Sequence, residues 1–336
     1  MYLRNQTALG FGTLHTANQM GTPLLAHDAL SRLLLLHPVR TELDTRCRFN
    51  APWKMIHKAE KPFVAPYHLV VEGEALVDIE GRESITLRAG DVLVFPHGHA
   101  HRLYTMDAVE NSPMHPVYKE AIVTHAENTG VGPLTEILCG QFHFEAPGSK
   151  ALVDALPDVI HISTAGRHEF LRLQALVSLL RDETNEALPG ASAVVSHLAS
   201  ALLLLLLRAW LEQAHVMPGM FALLADPRLS QALHGILTDP GKPWTLEELA
   251  NHCQMSRATF VRLFPSIAGT TPGDLLMRVR MIQAGQWLSR TRMSIGEICD
   301  CVGYRSEAAF NRAFKRFAGV GPGQYRRQHS SYVGGL

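Results

Sequence analysis

The chain reads as an α+β multidomain protein: an N-terminal β-barrel, a helical interface segment, and a C-terminal all-α domain of two helix-turn-helix units. Three observations predict this. Between residues 46 and 144, short alternating segments follow one another, separated by turns such as Glu72-Gly73, Glu80-Gly81 and Ala89-Gly90. That spacing belongs to a sandwich or barrel. Two helical stretches, Ala165 to Arg181 and Ala191 to Gln213, come next. From Trp244 to Gln328 one pattern then occurs twice, and a repeat of this length is one supersecondary unit used twice.

With 336 residues, 46% hydrophobic and 18% charged, the chain has the composition of a soluble globular protein of two or three domains. We divide it into a flexible extension at 1–26, a barrel domain at 27–160, a helical linker segment at 161–217, and a double helix-turn-helix domain at 228–330. No signal peptide is evident, because Gly10, Gly12 and Gly21 interrupt the first residues. The apolar run Ala201 to Leu207 is too short for a membrane span and reads as a buried interface helix. The five cysteines, Cys47, Cys139, Cys253, Cys299 and Cys301, are unevenly spaced, which fits reduced thiols in the cytoplasm.

The barrel begins after a short amphipathic helix from His27 to Leu34. Strands are expected at Arg46 to Phe49, Trp53 to His57, Pro66 to Glu72, Glu74 to Ile79, Ser84 to Leu87, Val92 to Phe95, Ala100 to Thr105 and Glu136 to Phe144. Barrel walls can bring His68 and His101 together with Cys47 from an early strand, and imidazole plus thiolate at one point suits zinc or copper. His97 and His99 either add ligands or crowd a surface loop. The competing reading is packing, since an isolated His or buried Cys more often fills a core.

In the helical segment, Val194, Val195, Leu198, Leu202, Leu205, Leu206 and Trp210 cover more than one helix face. Such a helix is buried or paired. The stretch from Pro218 to Pro227 reads as a connector, and Arg228 to Leu237 as the first helix of the last domain.

In that domain Thr245 with Glu248, and Ser294 with Glu297, form capping boxes for the first helix of each unit. Ser256 and Ser306 cap the second helices, whose core faces carry Phe260, Leu263, Phe264 and Ile267, and Phe310, Ala313, Phe314 and Phe317. The free faces hold Arg257, Ala258, Val261 and Arg262 in one copy, and Glu307, Ala308, Asn311, Arg312 and Lys315 in the other. Side chains so placed can meet base edges in the major groove. A helix from Pro272 to about Arg290 separates the units; at ~1.5 Å per residue it is roughly 28 Å long, a spacer that sets two recognition helices about one DNA turn apart. Pro265 should kink the first recognition helix. From Arg228 onward there are fourteen Lys and Arg against seven Asp and Glu, in a chain whose net charge is zero. A basic end on an acidic remainder suits phosphate contact by one domain only.

These residues resemble the AraC/XylS transcription regulators, whose signature matches Ile295 to Tyr325 with Gly303-Tyr304 and Phe310-Phe314-Lys315-Arg316-Phe317. The stretch Gly90-Asp91 through Pro96-His97-Gly98-His99-Ala100-His101 resembles the second cupin motif, with Thr105 where that pattern has Asn. Cupins are small jelly-roll barrels. The first cupin motif is mostly lost: Pro66 occupies the Glu position, leaving His57 and His68 as scattered candidates. This argues against the three-His, one-carboxylate iron site of a dioxygenase or isomerase, so no enzyme activity is expected.

The pattern through Cys47, Trp53, His68, Pro96 to Arg102 and Cys139-Gly140 is similar to the cupin-sensor branch of AraC-type activators, including the reactive-chlorine-sensing regulators. The resemblance implies Cys47 and Cys139 as redox-sensing thiols beside His68 and His101, promoter DNA and RNA polymerase as partners, an oxidant, metal ion or small effector as the signal, and homodimer contacts in the helical segment. The alternatives are a barrel that binds an organic effector, or a metal-dependent cupin enzyme fused to a DNA-binding domain.

Overall fold

In the computed structural model, which describes residues 29–108, 117–119, 123–145, 148–164, 170–185, 188–213 and 219–329, helix α1 (Ala29–Leu36) leads into an eleven-stranded barrel. Its strands are β1 (Val39–Asn50), β2 (Lys54–His57), β3 (Val64–Glu72), β4 (Glu74–Ile79), β5 (Ile85–Arg88), β6 (Val92–Val94), β7 (His101–Tyr104), β8 (Val117–Lys119), β9 (Thr124–Glu127), β10 (Leu134–Phe144) and β11 (Ile160–Ile162). The 1–26 extension, and the start of the expected first helix at His27 and Asp28, lie outside the described residues.

Two sheets face each other. One has seven strands in the order β11-β6-β3-β10-β1-β9-β8, the other four in the order β2-β7-β4-β5. The long antiparallel pair β1 and β10 runs from Val39 opposite Phe144 to Asn50 opposite Leu134. Between the sheets lie Cys47, Phe49, Trp53, Val70, Val77, Leu93, Phe95, Leu103, Ile137 and Cys139 in one apolar cluster. Strand β3 is buried on both faces, because its outer side is covered by helices.

Those helices are α3 (Leu171–Asn185) and α4 (Ala191–Gln213), which follow the short α2 (Lys150–Val153). The first was expected to end before a turn at Thr184; instead it continues through Asn185, and the Thr184 hydroxyl donates to the Arg181 carbonyl inside the helix. Its expected start, 165–169, lies outside the described residues. Helix α4 has the length and composition of a membrane span, yet Val195, Leu202, Leu206 and Trp210 are buried within the fold. A network ties α3 to the barrel. Buried Glu136 of β10 accepts from Arg46 Nε at 2.8 Å and from Arg181 at 3.1 Å, and Arg46 also donates to Asn185.

Three strands escaped the sequence reading: β8, β9 and β11. The sequence of β9 is Thr-His-Ala-Glu, too polar to announce a strand, and it forms by pairing parallel to β1. The stretch read as a connector contains α5 (Gly219–Ala225), which is followed by α6 (Leu229–Thr238).

The DNA-binding domain keeps the expected local signals. Helices α7 (Leu246–His252) and α10 (Ile295–Cys301) each start at a complete capping box. Helices α8 (Arg257–Ala268) and α11 (Glu307–Ala318) are capped by Ser256 and Ser306 and end in left-handed Gly269 and Gly319. Helix α8 runs without interruption through Pro265. Helix α9 (Pro272–Arg290) joins the units and α12 (Pro322–His329) closes the second. The first half of α9 gives Leu275, Leu276 and Val279 to the core shared with the first unit, and its second half gives Met281, Ala284 and Leu288 to the core of the second. The barrel docks on the same helix: Gln286 of α9 donates to the carbonyls of Leu35 and Leu36, and Arg290 pairs with Glu145.

Candidate functional site: a nucleic-acid interface and a Cys/His chain

On the recognition helices, Phe260 and Phe264 in α8, and Phe310 and Phe314 in α11, are fully buried. This holds the opposite faces outward. Arg257, Ala258, Val261 and Arg262 are exposed, as are Glu307, Ala308, Arg312 and Lys315, with Asn311 half-buried. Register therefore places Arg262 and Arg312 at matching positions of two matching helices. Around them Arg257, Arg305, Lys315 and Arg316 are exposed cations, the composition that contacts phosphate.

Inside the barrel, His57 of β2 stands opposite His101 of β7 in the four-stranded sheet, while His68 comes from β3 in the facing sheet. Their imidazoles meet across the interior. His68 Nε2 lies 2.8 Å from His101 Nε2, the His57 and His101 rings stack at 4.7 Å, and Phe95 stacks on the other face of His101 at 3.8 Å. Cys139 is the neighbour of His68 on β10, with its Sγ 3.1 Å from His68 Nδ1. Burial lowers the pKa of His57 and of His101 to about 4. Burial, aided by His57 and His101, takes His68 well below its ordinary value. All three are neutral at pH 7.

Neutrality fixes the protons. A carbonyl can only accept, so His101 Nδ1, 2.8 Å from the His99 oxygen, carries the hydrogen and its Nε2 is the acceptor. His68 Nε2 must then donate to His101, which leaves His68 Nδ1 to accept from the Cys139 thiol. The Cys139 thiol is also hydrogen-bonded to Cys47; that bond and burial push its pKa well above normal. The result is one proton chain, from Cys47 through Cys139 and His68 to His101, that reaches a cleft of about 510 Å³ lined by His57, His101, Lys54, Arg82 and Arg102.

Of the expected metal set, His68 and His101 come together and Cys47 does not join them. Cys47 belongs to β1 and meets Cys139 behind His68, so His57 occupies the third position. One ligand atom from each of His57, His68 and His101 lies within 4.8 Å of the others, and His57 Nε2 is buried without a hydrogen-bond partner. Three neutral imidazoles, one with an orphaned nitrogen, fit a zinc or copper ion. The signal that could have singled out His57 is its place opposite His101, which requires the β2/β7 register. His97 Nε2 donates to the Leu156 carbonyl at 3.1 Å and stands apart from the trio. Cys253 and Cys299 are buried among the helix-turn-helix cores, and Cys301 is exposed.

The sequence family described as cupin matches residues 28–212, and the family described as helix-turn-helix domain matches 249–328. The chain is 31% identical over 302 residues to the RCS-specific HTH-type transcriptional activator RclR of Escherichia coli, a match spanning 90% of this chain and 98% of that one. It is 29% identical over 304 residues to the HTH-type transcriptional regulator MtrA of Neisseria gonorrhoeae, spanning 90% of this chain and 98% of that one. A solved transcriptional regulator from Chromobacterium violaceum, described by its AraC-type DNA-binding domain, aligns with 32% of this chain and 96% of its own at 25% identity and a TM-score of 0.31. Full-length relatives that are transcription regulators, a cupin match over more than half the chain, and two exposed recognition helices exclude the cupin-enzyme alternative: the chain belongs to the AraC-type DNA-binding transcription regulators that carry a cupin domain.

Proposed function

We propose that the protein is a cytoplasmic, dimeric transcription activator whose barrel receives an oxidant or metal signal through the Cys47–Cys139–His68–His101 chain, with His57 beside it. The observation that carries this reading is His68, whose two ring nitrogens join the thiol pair to the cleft-facing imidazoles. A metal held at the Nε2 side needs a lone pair on each nitrogen, so His57, His68 and His101 would hold zinc or copper as neutral ligands with the His68 proton moved from Nε2 to Nδ1, where it would face the Cys139 sulfur instead of accepting from it. An oxidant acts at the other end. Two-electron oxidation of Cys47 and Cys139 to a disulfide releases two protons and removes the thiol donor from His68. Both inputs change the same hydrogen-bonded chain, and both lie under the strand pair that carries Arg46 and Glu136 to α3. The name of the Escherichia coli relative supports the oxidant and the activating sign. Burial and the raised Cys139 thiol favour the metal reading at rest, because thiolate is the reactive form. Promoter DNA and RNA polymerase are the partners, with Arg257, Arg262, Glu307, Asn311, Arg312 and Lys315 facing the major groove and α4 contributing dimer contacts.

The test is a promoter-DNA titration of the reduced full-length protein before and after zinc, copper or hypochlorous acid, with Cys47→Ala, Cys139→Ala and His57→Gln in parallel. A response to metal lost in His57→Gln, or a response to oxidant lost in Cys47→Ala, identifies the input. DNA binding that ignores all three reagents sinks the Cys/His reading and leaves an organic effector in the barrel.

A further inference from the structure

The two helix-turn-helix units give their apolar side chains to separate cores that meet along α9, and a polar contact joins the units a second time. The segment 239–244, which leads into α7 of the first unit, lies against the end of α10 and the turn after it in the second. Arg280 of α9 closes this contact. Its Nε donates to the Pro240 carbonyl at 2.7 Å and its Nη2 to the Lys242 carbonyl at 2.9 Å. The guanidinium also stands over the Tyr304 ring, 5.9 Å from its centroid. One half-buried side chain thus holds backbone of the first unit and an aromatic ring of the second.

Glycines let the two pieces come this close. A Cβ on Gly241 would fall 2.5 Å from the Cys301 carbonyl oxygen, and one on Gly303 would fall 2.2 Å from the Gly241 carbonyl oxygen and 2.9 Å from Arg280 Nη2. The nearest atoms are backbone, so a larger residue at either position must push the units apart. The first repeat supplies a comparison. Gly303 follows the C-cap of α10 with a φ of 74°, and the residue after the C-cap of α7 is Gln254, with a φ of 54°. A left-handed residue at this turn therefore does not have to be glycine. Gln254 is exposed, whereas Gly303 has the first unit pressed on it, and that close approach is what requires glycine in the second copy.

The contact bears on DNA recognition. Arg262 and Arg312 can meet two stretches of one duplex together only if the distance between α8 and α11 matches the distance between those stretches. Two bodies attached along one helix can rock about it. A second attachment off the helix axis removes that freedom, and a guanidinium fork with two donors on two carbonyls makes the attachment directional.

We propose that Arg280 is a positioning residue for DNA recognition, and that its hold on the 240–242 backbone against Gly303 decides how strictly the protein selects the spacing between the two parts of its operator. It acts through the two recognition helices rather than on a base. Without it each unit still binds its own part, but the advantage of binding both at once falls, because that advantage depends on the second part being presented at the right distance. The role is independent of the signal that the barrel receives.

The experiment starts from an operator recovered by the wild-type, full-length protein from randomised DNA. Affinity is measured at one salt concentration for that operator, for a version with two base pairs inserted between its parts, and for versions with either part scrambled. The proteins are wild type, Arg280→Met, Arg280→Lys and Gly241→Ala. Methionine keeps the apolar stem without the donors, lysine keeps the charge without the fork, and Gly241→Ala wedges the same contact without changing charge. Wild type is expected to lose about tenfold or more on insertion. Arg280→Met and Gly241→Ala should bind the scrambled versions as wild type does, bind the intact operator about fivefold or more weakly, and lose less than wild type on insertion. Arg280→Lys should resemble Arg280→Met; full rescue by lysine would make Arg280 a point charge and overturn the proposal. Equal losses on intact and scrambled DNA, or insertion penalties in Arg280→Met and Gly241→Ala that match wild type, would overturn it as well. So would a wild type indifferent to insertion, which would mean that one unit alone reads the DNA.

Discussion

Gln286 of the linker helix donates from Nε2 to the carbonyl oxygens of Leu35 and Leu36, each at 3.1 Å. These are carbonyls of the last turn of α1, which has no intrahelical donors left for them. A side chain of the DNA-binding domain thus finishes a helix of the barrel domain. Gln286→Ala should weaken the seam by about 1 kcal/mol. Hydrogen exchange in α1 is expected to quicken while exchange in β1 and β10 stays as it was; equal protection of α1 in the two proteins would assign the seam to apolar contact alone.

The Glu136 carboxylate is completely buried and holds Arg46, itself only 4% exposed. Removing one partner of a buried pair costs about 3–5 kcal/mol, because the other charge remains buried and unmatched. Glu136→Ala should show that loss in urea denaturation, and the double variant Glu136→Leu with Arg46→Met should recover most of it. A small effect of the single variant would mean that Arg46 finds another acceptor.

Acid should destabilise the protein through His37. Its folded pKa is about 4, against 6.5 for the free side chain, so between these values the unfolded chain binds a proton that the folded chain refuses. Stability therefore falls as pH drops from 6.5 toward 4 and is level above that window. At 1.36 kcal/mol per unit, the full effect is on the order of 3 kcal/mol. His37→Leu should lower the slope of unfolding free energy against pH in this range by one histidine's share, the rest coming from His57, His68 and His101, whose pKa values burial also lowers, and an unaltered slope would assign all of it to those three.

Arg262 and Arg312 occupy the same position of the two repeats, exposed on helices of equal length. Each Arg→Ala change should relax base preference at one operator position by about 1–3 kcal/mol, read by selection from a randomised operator. Because the two sites are separate, the variants should relax different positions. A uniform loss of affinity across all sequences would make them phosphate contacts.

The parts of this molecule that were legible in its sequence are those fixed by short-range chemistry. Thr245 with Glu248 and Ser294 with Glu297 marked helix starts that the structure reproduces, and Pro272 with Arg290 bounded α9. Strands that depend on a distant partner were not legible: β9 is held by β1, and nothing in Thr-His-Ala-Glu says so. The same limit applied to the site. His68 and His101 could be singled out by motif, but His57 gains its place only through the register that sets it opposite His101, and Cys47 loses its place because its strand delivers it to Cys139. Pro265 sits inside a helix that continues through it, with Phe264 packed in the core beside it, so its local signal did not end α8.

The shared membership of α9 in two cores makes its length a matter of angular phase. Each residue of an α-helix turns the chain by about 100°. One residue added after Val279 would rotate the second unit about the helix axis and carry Arg312 to another side of the duplex, pulling Ile282 from the first core and Arg280 from the Pro240 and Lys242 carbonyls. Any functional lengthening of this protein must therefore come in near-whole turns, and its operators are bound to inherit the same quantised spacing.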